Sequence, residues 1–443
     1  MRVVVGAAVA AATLYGALAG AGDLRQHLAL YLIAHALLTA LMLVAWRAVA
    51  AGGPAVLRAM LVAAVVFRLI AAVAPPTLSD DVFRYVWDGR VQAAGHHPYK
   101  FPPSDPMRAE LRDAVVYPRI NHPEIPTIYP PLAQLVFAAL AAAKLSVTGF
   151  KIALGLLDVG VVLALVGLLD ALGMPRHRAV LYAWNPLAVF EVAGSGHVEP
   201  LGMALVLLAL IGLTRDRKTA AGAALGGAIQ AKLLPLLLVP GFVRRAKAPA
   251  IVAMLAVIAL TTAPYALRGP WFGAGVVAYA HRWEHGAVLF AGVRRFVTWV
   301  DLAPHAKGAI AWAQARWGSA DTAWWDAAQR LVWPQETARL AVAVAAFGWA
   351  IAQSFRPRID AAHEARLVFG GALLLAPTLH PWYVLWVLPL AACHAAGGWL
   401  IFGALVPLQY LAGAGDVPWP IRLAILLPAL AWMTKDALLR FRR

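Results

Sequence analysis

Apolar runs long enough to cross a lipid bilayer recur through the whole chain, beginning with Val3 to about Ala21, Leu28 to Val49 and Val56 to Ala74. A hydrocarbon core of ~30 Å takes about 20 helical residues, and within it every backbone N–H and C=O must be satisfied inside the helix itself. The sequence therefore specifies an all-α, polytopic membrane helical bundle, a single integral-membrane domain over residues 1–443. Composition agrees: 62% of residues are hydrophobic and 14% charged, too few charges to cover a water-facing surface. The formal charge of +16 belongs beside anionic lipid more naturally than on nucleic acid. A lone cysteine, Cys393, excludes an intrachain disulfide and any multi-cysteine metal site. No convincing cleavage box follows the first run, which reads as a retained span rather than a cleaved signal peptide.

Orientation follows from where Lys and Arg cluster between runs. Arg2, Arg47 with Arg58, Arg176 with Arg178, Arg215 with Arg217 and Lys218, Arg244 with Arg245 and Lys247, Arg356 with Arg358, and Lys435 through Arg443 are expected in the cytoplasm. The segment 75–130 then lies outside, where seven acids face six bases and carry none of the basic excess. Parity makes Leu132 to Ala143, only about 18 Å long as a helix, re-entrant or interfacial. It also makes Thr219 to Pro240, broken at Pro235, a hairpin entering from the cytoplasm. Further spans are expected near Ile152 to Leu172, Val180 to Ala193, Leu201 to Leu213, Ile251 to Leu267, Leu340 to Ala352, Leu367 to Thr378, Val384 to Cys393, Leu400 to Leu411 and Ile421 to Trp432, about twelve crossings in all. A second outer segment, 268–336, holds eight of the 17 tryptophans, among them Trp271, Trp283, Trp324 and Trp325. That density suits amphipathic helices lying in the headgroup layer.

The richest polar stretch runs from Ser79 to Tyr99. Ser79 is a good helix N-cap, Asp80 and Asp81 fall in the first turn where the dipole favours anions, and Gly95 with Pro98 is a stop signal. On the resulting short helix Asp81, Tyr85, Asp88 and Gln92 share a face, and Asp80 is spaced to pair with Arg84. A solvated, well-capped helix explains one carboxylate; two adjacent ones with Asp88 behind them favour a site. A carboxylate whose pKa is raised by burial and a like-charged neighbour can act as general base. No cofactor is expected. A divalent cation at the acid pair is the lesser alternative, and the spacing of His96, His97 and His122, with prolines following two of them, argues against metal ligation.

Three other groups stand out. The proline-rich stretch from Arg119 to Pro131 reads as a rigid entry loop, with Tyr129 placed to line a groove. The run from Trp184 to Pro200 brings Glu191, His197 and Glu199 to a turn, and Lys232 sits at the tip of the hairpin, where an ammonium is costly unless paired or wetted. Snorkelling, an ion pair with Glu191 or Glu199, and a phosphate contact remain open for it. In Thr378 to Tyr383 the Trp and Tyr are ordinary interfacial anchors, which His380 is not.

At SDDVFRYVWDGRVQAAGHHPY the chain resembles the GT-C superfamily of integral-membrane glycosyltransferases, most nearly the bacterial polyprenyl-phosphate-mannose-dependent mannosyltransferases of glycosyltransferase family 87 and its relatives. The likeness continues in order through RINHPEIPTIYPPLAQ, WNPLAVFEVAGSGHVEP, QAKLLPLLLVPGF and HPWYVLWVLPL. It implies transfer of a sugar, mannose by that family's bias, from a polyprenyl-phosphate donor to a lipid-linked or glycan acceptor, with inversion, in the bacterial inner membrane and on its outer side. The family's catalytic carboxylate maps to Asp80 or Asp81, with Asp80, nearer the membrane mouth, preferred. Substrate contacts are expected from Arg84, Tyr85, Asp88, His122, Tyr129, Glu191, His197, Glu199, Lys232, His380 and Tyr383. The acid pair follows the third apolar run, whereas the family usually carries it after the first, which implies two extra N-terminal helices or a different span count. The competing reading is a lipid or sugar transporter using Glu191, Glu199 and Lys232 as a polar pathway. Against it, the polar groups gather on one face instead of lining the spans from side to side.

Overall fold

The computed structural model describes all residues except 51–52, 271, 302, 319–322, 358, 414 and 442–443, so Trp271, Arg358, Arg442 and Arg443 lie outside the described residues, as does the side chain of Trp324. The described residues are helical, with no strand. Helices α1 (Arg2–Gly20), α2 (Leu28–Ala50) and α3 (Pro54–Val73) precede the acid pair, which opens α4 (Asp81–Ala93). Three helices therefore stand before the pair. After a loop come α5 (Pro131–Ala142), α6 (Val147–Ala171), α7 (Val180–Ala183), α8 (Pro186–Val189), α9 (Glu199–Thr214), α10 (Lys218–Ala231), α11 (Val239–Arg245) and α12 (Ala248–Ala266). The segment 268–336 forms α13 (Ala274–Arg282), α14 (Leu289–Val300), α15 (Ala303–Trp317) and α16 (Ala323–Leu331). The chain ends in α17 (Pro334–Ser354), α18 (Ala361–Leu375), α19 (Leu388–His394), α20 (Gly397–Leu405) and α21 (Trp419–Phe441). Among the described residues α1, α2, α3, α6 and α12 are long and apolar enough to cross a membrane.

Several expected spans are not single helices, and proline is the reason. A proline ring clashes with the carbonyl four residues back and cannot donate to it. Pro235 thus ends α10 at Ala231, its i−4 residue, so the hairpin breaks at Lys232, which is extended (φ −159°, ψ 145°), and not at Pro235 itself. Pro186 likewise splits the run Val180 to Ala193 into α7, α8 and a π-helical turn at Phe190–Gly194, with the Asn185 side chain accepting from Leu187 N to restart the helix. Pro389 and Pro407 interrupt the expected spans Val384 to Cys393 and Leu400 to Leu411 in the same manner, leaving 3₁₀ turns at Pro381–Trp386 and Val406–Ala412.

Small residues set the closest helix contacts, as expected where lipid removes the hydrophobic drive between helices. A Cβ on Gly222 would stand 1.9 Å from Ala250 O, which lets α10 lie backbone to backbone on α12. On Gly89 it would meet Phe137 O at 2.4 Å, so α5 clamps α4 and fixes the direction of its N-terminus. The α3–α6 contact is ionic instead. Arg68 of α3 donates from Nε to Asp158 of α6 at 2.8 Å, with Nη2 2.6 Å from the same oxygen as an ion pair, and from Nη1 to the Ala64 and Ala183 carbonyls at 2.9 Å each; Tyr182 donates to the other Asp158 oxygen. In the segment 268–336, Trp299, Trp312, Trp317 and Trp333 are 80, 59, 66 and 55% exposed, consistent with interfacial anchoring, but Trp325 is buried. Phe290 and Ala287 pack on Ala338 and Val342, tying α14 to α17. The turn before α14 pairs with the 377–379 loop, His285 N donating to Pro377 O and Leu379 N to His285 O.

Removing one member of a buried ion pair strands the other, at a cost of about 3–5 kcal/mol, whereas replacing both with apolar groups is often neutral. Arg68→Met is therefore expected to lower the melting temperature of the detergent-solubilised protein sharply, and Arg68→Met with Asp158→Leu to recover most of the loss. Equal destabilisation by the single and double variants would show that the pair is not what joins α3 to α6.

Candidate active site

Asp80 and Asp81 are adjacent in sequence and have different partners. Helix α4 begins at Asp81 rather than after Ser79; Asp80 is the N-cap residue, yet its carboxylate caps nothing. Two guanidiniums draw it away: Arg25 Nη2 donates at 2.8 Å, and Arg119 donates from Nη2 at 2.5 Å and Nε at 3.1 Å. The expected Asp80–Arg84 pair is absent for that reason. Arg84 instead donates to Asp88 at 2.9 Å. Asp88 is itself buried and also accepts from Thr127 at 2.5 Å and Gln134 at 2.9 Å, so it fastens α4 to the 119–130 loop and α5 and does not meet the cavity. Gln92, on the same face, donates to Gln134 and accepts from Tyr265. Tyr85 is a packing residue, stacked on Phe137 at 4.7 Å and edge-on to Tyr129 at 4.9 Å.

Asp81 faces a cavity of about 1700 Å³ together with Arg84, His122, Tyr129, Lys232, His380 and Tyr383. Among the described residues its side chain accepts one hydrogen bond, from Asn121 Nδ2 at 3.3 Å. Burial raises the Asp81 pKa to about 6; Glu199 and Asp80 push the same way, while Lys232 and Asn121 oppose them. Such a carboxylate is ionised at neutral pH and still basic enough to take a proton. Lys232 occupies the break between α10 and the next 3₁₀ turn, where the interrupted helix turns its side chain to the cavity. It donates to Glu199 at the start of α9, and its Nζ lies 4.8 Å from the centre of the Tyr383 ring. Of the two expected acids, Glu199 is the counter-charge. Glu191 accepts from Tyr410 at 2.6 Å and lies 3.8 Å from His197. His197 is fully buried behind Trp382, stacked on it at 4.0 Å, and Trp382 stacks in turn on His380 at 4.4 Å. Glu191, His197 and Glu199 thus stand behind the cavity wall instead of lining it.

Among the described residues no group of three metal-ligating side chains lines the cavity. His96 lies 3.2 Å from Glu110, and His97 Nε2 3.1 Å from Tyr265 O. Among the described residues Asp360, His363 and His394 each bring one ligand atom within 4.8 Å of the others, at the end of α18 opposite the 377–383 loop. There Asp360 already caps α18 at His363 N, 2.8 Å away.

The structure adds residues that sequence reasoning passed over. Arg25, in the turn between α1 and α2, carried no motif. Arg119 and Asn121 stood in the stretch read as an entry loop, and Trp283 was counted among the headgroup anchors but is half-buried against the cavity. Nothing in the local sequence distinguishes it from the other tryptophans of that segment.

No curated protein and no solved structure gives a significant match to the chain. The family model of the alpha-(1->6)-mannopyranosyltransferase N-terminal domain matches residues 2–248, more than half of the chain and all of it from α1 through the acid pair to Lys232 and α11. The chain is accordingly a membrane mannosyltransferase that belongs to the MptA_B family.

Proposed function

We propose that the protein moves mannose from a polyprenyl-phosphate donor to a lipid-linked or glycan acceptor, with Asp81 as general base. The observation that carries this reading is the meeting, in one cavity, of a carboxylate that makes no ion pair among the described residues with a lysine whose counter-charge, Glu199, stands behind the cavity wall. Asp81 removes the proton from an acceptor hydroxyl, whose oxygen attacks the anomeric carbon. The bond from that carbon to the phosphate oxygen breaks, and its electron pair leaves with the polyprenyl phosphate, whose charge Lys232 stabilises. Displacement in line inverts the carbon, so the α(1→6) bond in the family's description calls for a β-linked donor. From Lys232 the cavity continues between α11 and α17 along Leu236, Val243, Leu340 and Phe347, an apolar channel suited to a prenyl tail. The reaction needs no divalent cation at the acid pair, because two guanidiniums already neutralise Asp80.

The basic clusters support about twelve crossings, a cytoplasmic C-terminus and an active site outside the cytoplasm, in a bacterial inner membrane. A transporter is less well supported. Glu191 is closed by Tyr410 and Glu199 by Lys232, so the buried acids form no path across the bundle.

Asp81→Asn is expected to insert and melt like the parent yet lose mannosyl transfer by ~100-fold or more, the scale of a deleted general base. Asp80→Asn weakens partly exposed ion pairs worth up to ~1 kcal/mol each, so its loss should stay near tenfold. Transfer from radiolabelled polyprenyl-phosphate mannose by purified protein measures both. The reverse order would move the base to Asp80, and near-normal transfer by both variants would sink the mechanism.

The same assay has a pH signature. The base works only when ionised, so kcat/KM should fall as pH drops through about 6, the value to which burial raises Asp81. Lys232 holds that value down, so Lys232→Met should move the acid limb to higher pH as well as raise the donor KM. A variant with unchanged donor KM and unchanged acid limb would remove Lys232 from the phosphate site.

A further inference from the structure

Asn121 donates to Asp81, and the next residue, His122, sets its ring edge-on to Trp283 with centroids 4.4 Å apart. Trp283 lies 5.0 Å from Tyr279, and Tyr279 is hydrogen-bonded through its hydroxyl to Tyr383, the ring beneath Lys232. Four rings therefore form a continuous wall from the exposed rim of the cavity to the cation at its depth, with the base beside its outer end. The charged groups around the rim are engaged already: His281 Nδ1 lies 2.8 Å from Glu336, Arg294 donates to Glu284 at 3.1 Å, and Arg339 donates from Nη1 and Nη2 to Trp283 O at 3.1 and 3.0 Å. That last contact fixes the Trp283 backbone.

We infer that this wall is the acceptor subsite, and that Trp283 is its platform for an uncharged pyranose. Three features select that ligand. A sugar ring has an apolar C–H face that packs on an indole, and a hydroxyl edge that bonds to polar groups such as the Asn121 amide and the Glu336 carboxylate. The guanidinium at the rim, Arg339, turns both terminal nitrogens to the Trp283 carbonyl, so the phosphate end of the donor gains less there than at Lys232. Finally, the apolar channel beside α11 and α17 leads from Lys232 away from the rim, which leaves the rim as the approach to Asp81 for the second substrate. The inference rests on the transferase reading and assigns to it the acceptor's binding face. Trp283 touches substrate but exchanges no proton with it; its task is to hold the hydroxyl at Asp81.

The test compares the parent, Trp283→Ala and Trp283→Phe as full-length proteins in lipid nanodiscs, with octyl α-mannopyranoside as acceptor probe and polyprenyl-phosphate mannose as donor. Trp283→Ala should raise the acceptor KM about tenfold, the loss expected from one aromatic contact of ~1.4 kcal/mol. The donor KM and the melting temperature should be unchanged, and Trp283→Phe should restore most of the acceptor affinity. Saturation-transfer NMR of the mannoside without donor gives a second readout, with ring-proton saturation lost in Trp283→Ala alone. An acceptor KM within twofold of the parent, or an equal rise for donor and acceptor, overturns the subsite. A parent that saturates the mannoside through Trp283 but transfers no mannose leaves the subsite standing and overturns the donor reading instead.

Discussion

An ammonium buried in a membrane protein needs a counter-charge, and the site is arranged around the way Glu199 supplies one to Lys232. Glu199 is the first residue of α9 and Lys232 follows the last residue of α10, so the pair closes the ends of two helices that pack along their length. Pro235 makes this arrangement available. By stopping α10 at Ala231 it leaves Lys232 extended, and the side chain reaches the cavity where a continuous helix would have carried it around the axis. The Tyr383 ring beneath the ammonium and the Trp382–His197 stack behind it complete a dry wall around one charge. Glu199 spares the cavity wall a bare cation, and on the proposed mechanism an arriving phosphate needs only to share that balance.

The same electrostatic reasoning separates the two aspartates. A carboxylate held by two guanidiniums has its oxygens committed to those contacts. Asp80 is therefore suited to holding three segments together: the α1–α2 turn through Arg25, the start of α4, and the 119–130 loop through Arg119. Asp81 gains from that arrangement. Its neighbour's charge is engaged structurally, its own carboxylate is left facing the cavity, and the loop that Arg119 anchors brings Asn121 to it. One member of the pair positions the other.

Much of this was legible in the sequence, and the gaps have physical causes. Apolar runs located the long helices to within a few residues because membrane helices are selected by length and hydropathy, which are local properties. Prolines 186, 235, 389 and 407 were visible too, but hydropathy averages over them, so runs that are broken helices read as spans. The acid pair and Lys232 stood out since charge is expensive in such a chain. Their partners did not. Arg25 lies 55 positions from Asp80, and nothing in its neighbours marks it as a ligand for that carboxylate. Ser79 looked like the cap because capping propensity is counted locally, whereas the 3-dimensional pull of Arg25 and Arg119 decided which residue occupies the cap and what its side chain does. Trp283 was hidden among tryptophans with an ordinary interfacial purpose, and only its burial separates it from Trp299 or Trp317.

The cavity is chemically uneven along its length, and that unevenness gives the reaction a direction. Toward α11 and the far end of α17 its lining is aliphatic, ending at Arg244 and Phe355, whose guanidinium and ring lie 4.0 Å apart. Toward the 119–130 loop it is aromatic and polar. On the proposed mechanism a donor lays its apolar tail along α17 and its charged head at Lys232, and the aliphatic stretch between Lys232 and Arg244 is where a phosphate would be desolvated without a partner. That mechanism puts the anomeric carbon between the cation and Asp81. A lipid-tailed donor entering from the side and a hydroxyl approaching from the rim would then meet on opposite faces of that carbon, as displacement with inversion requires.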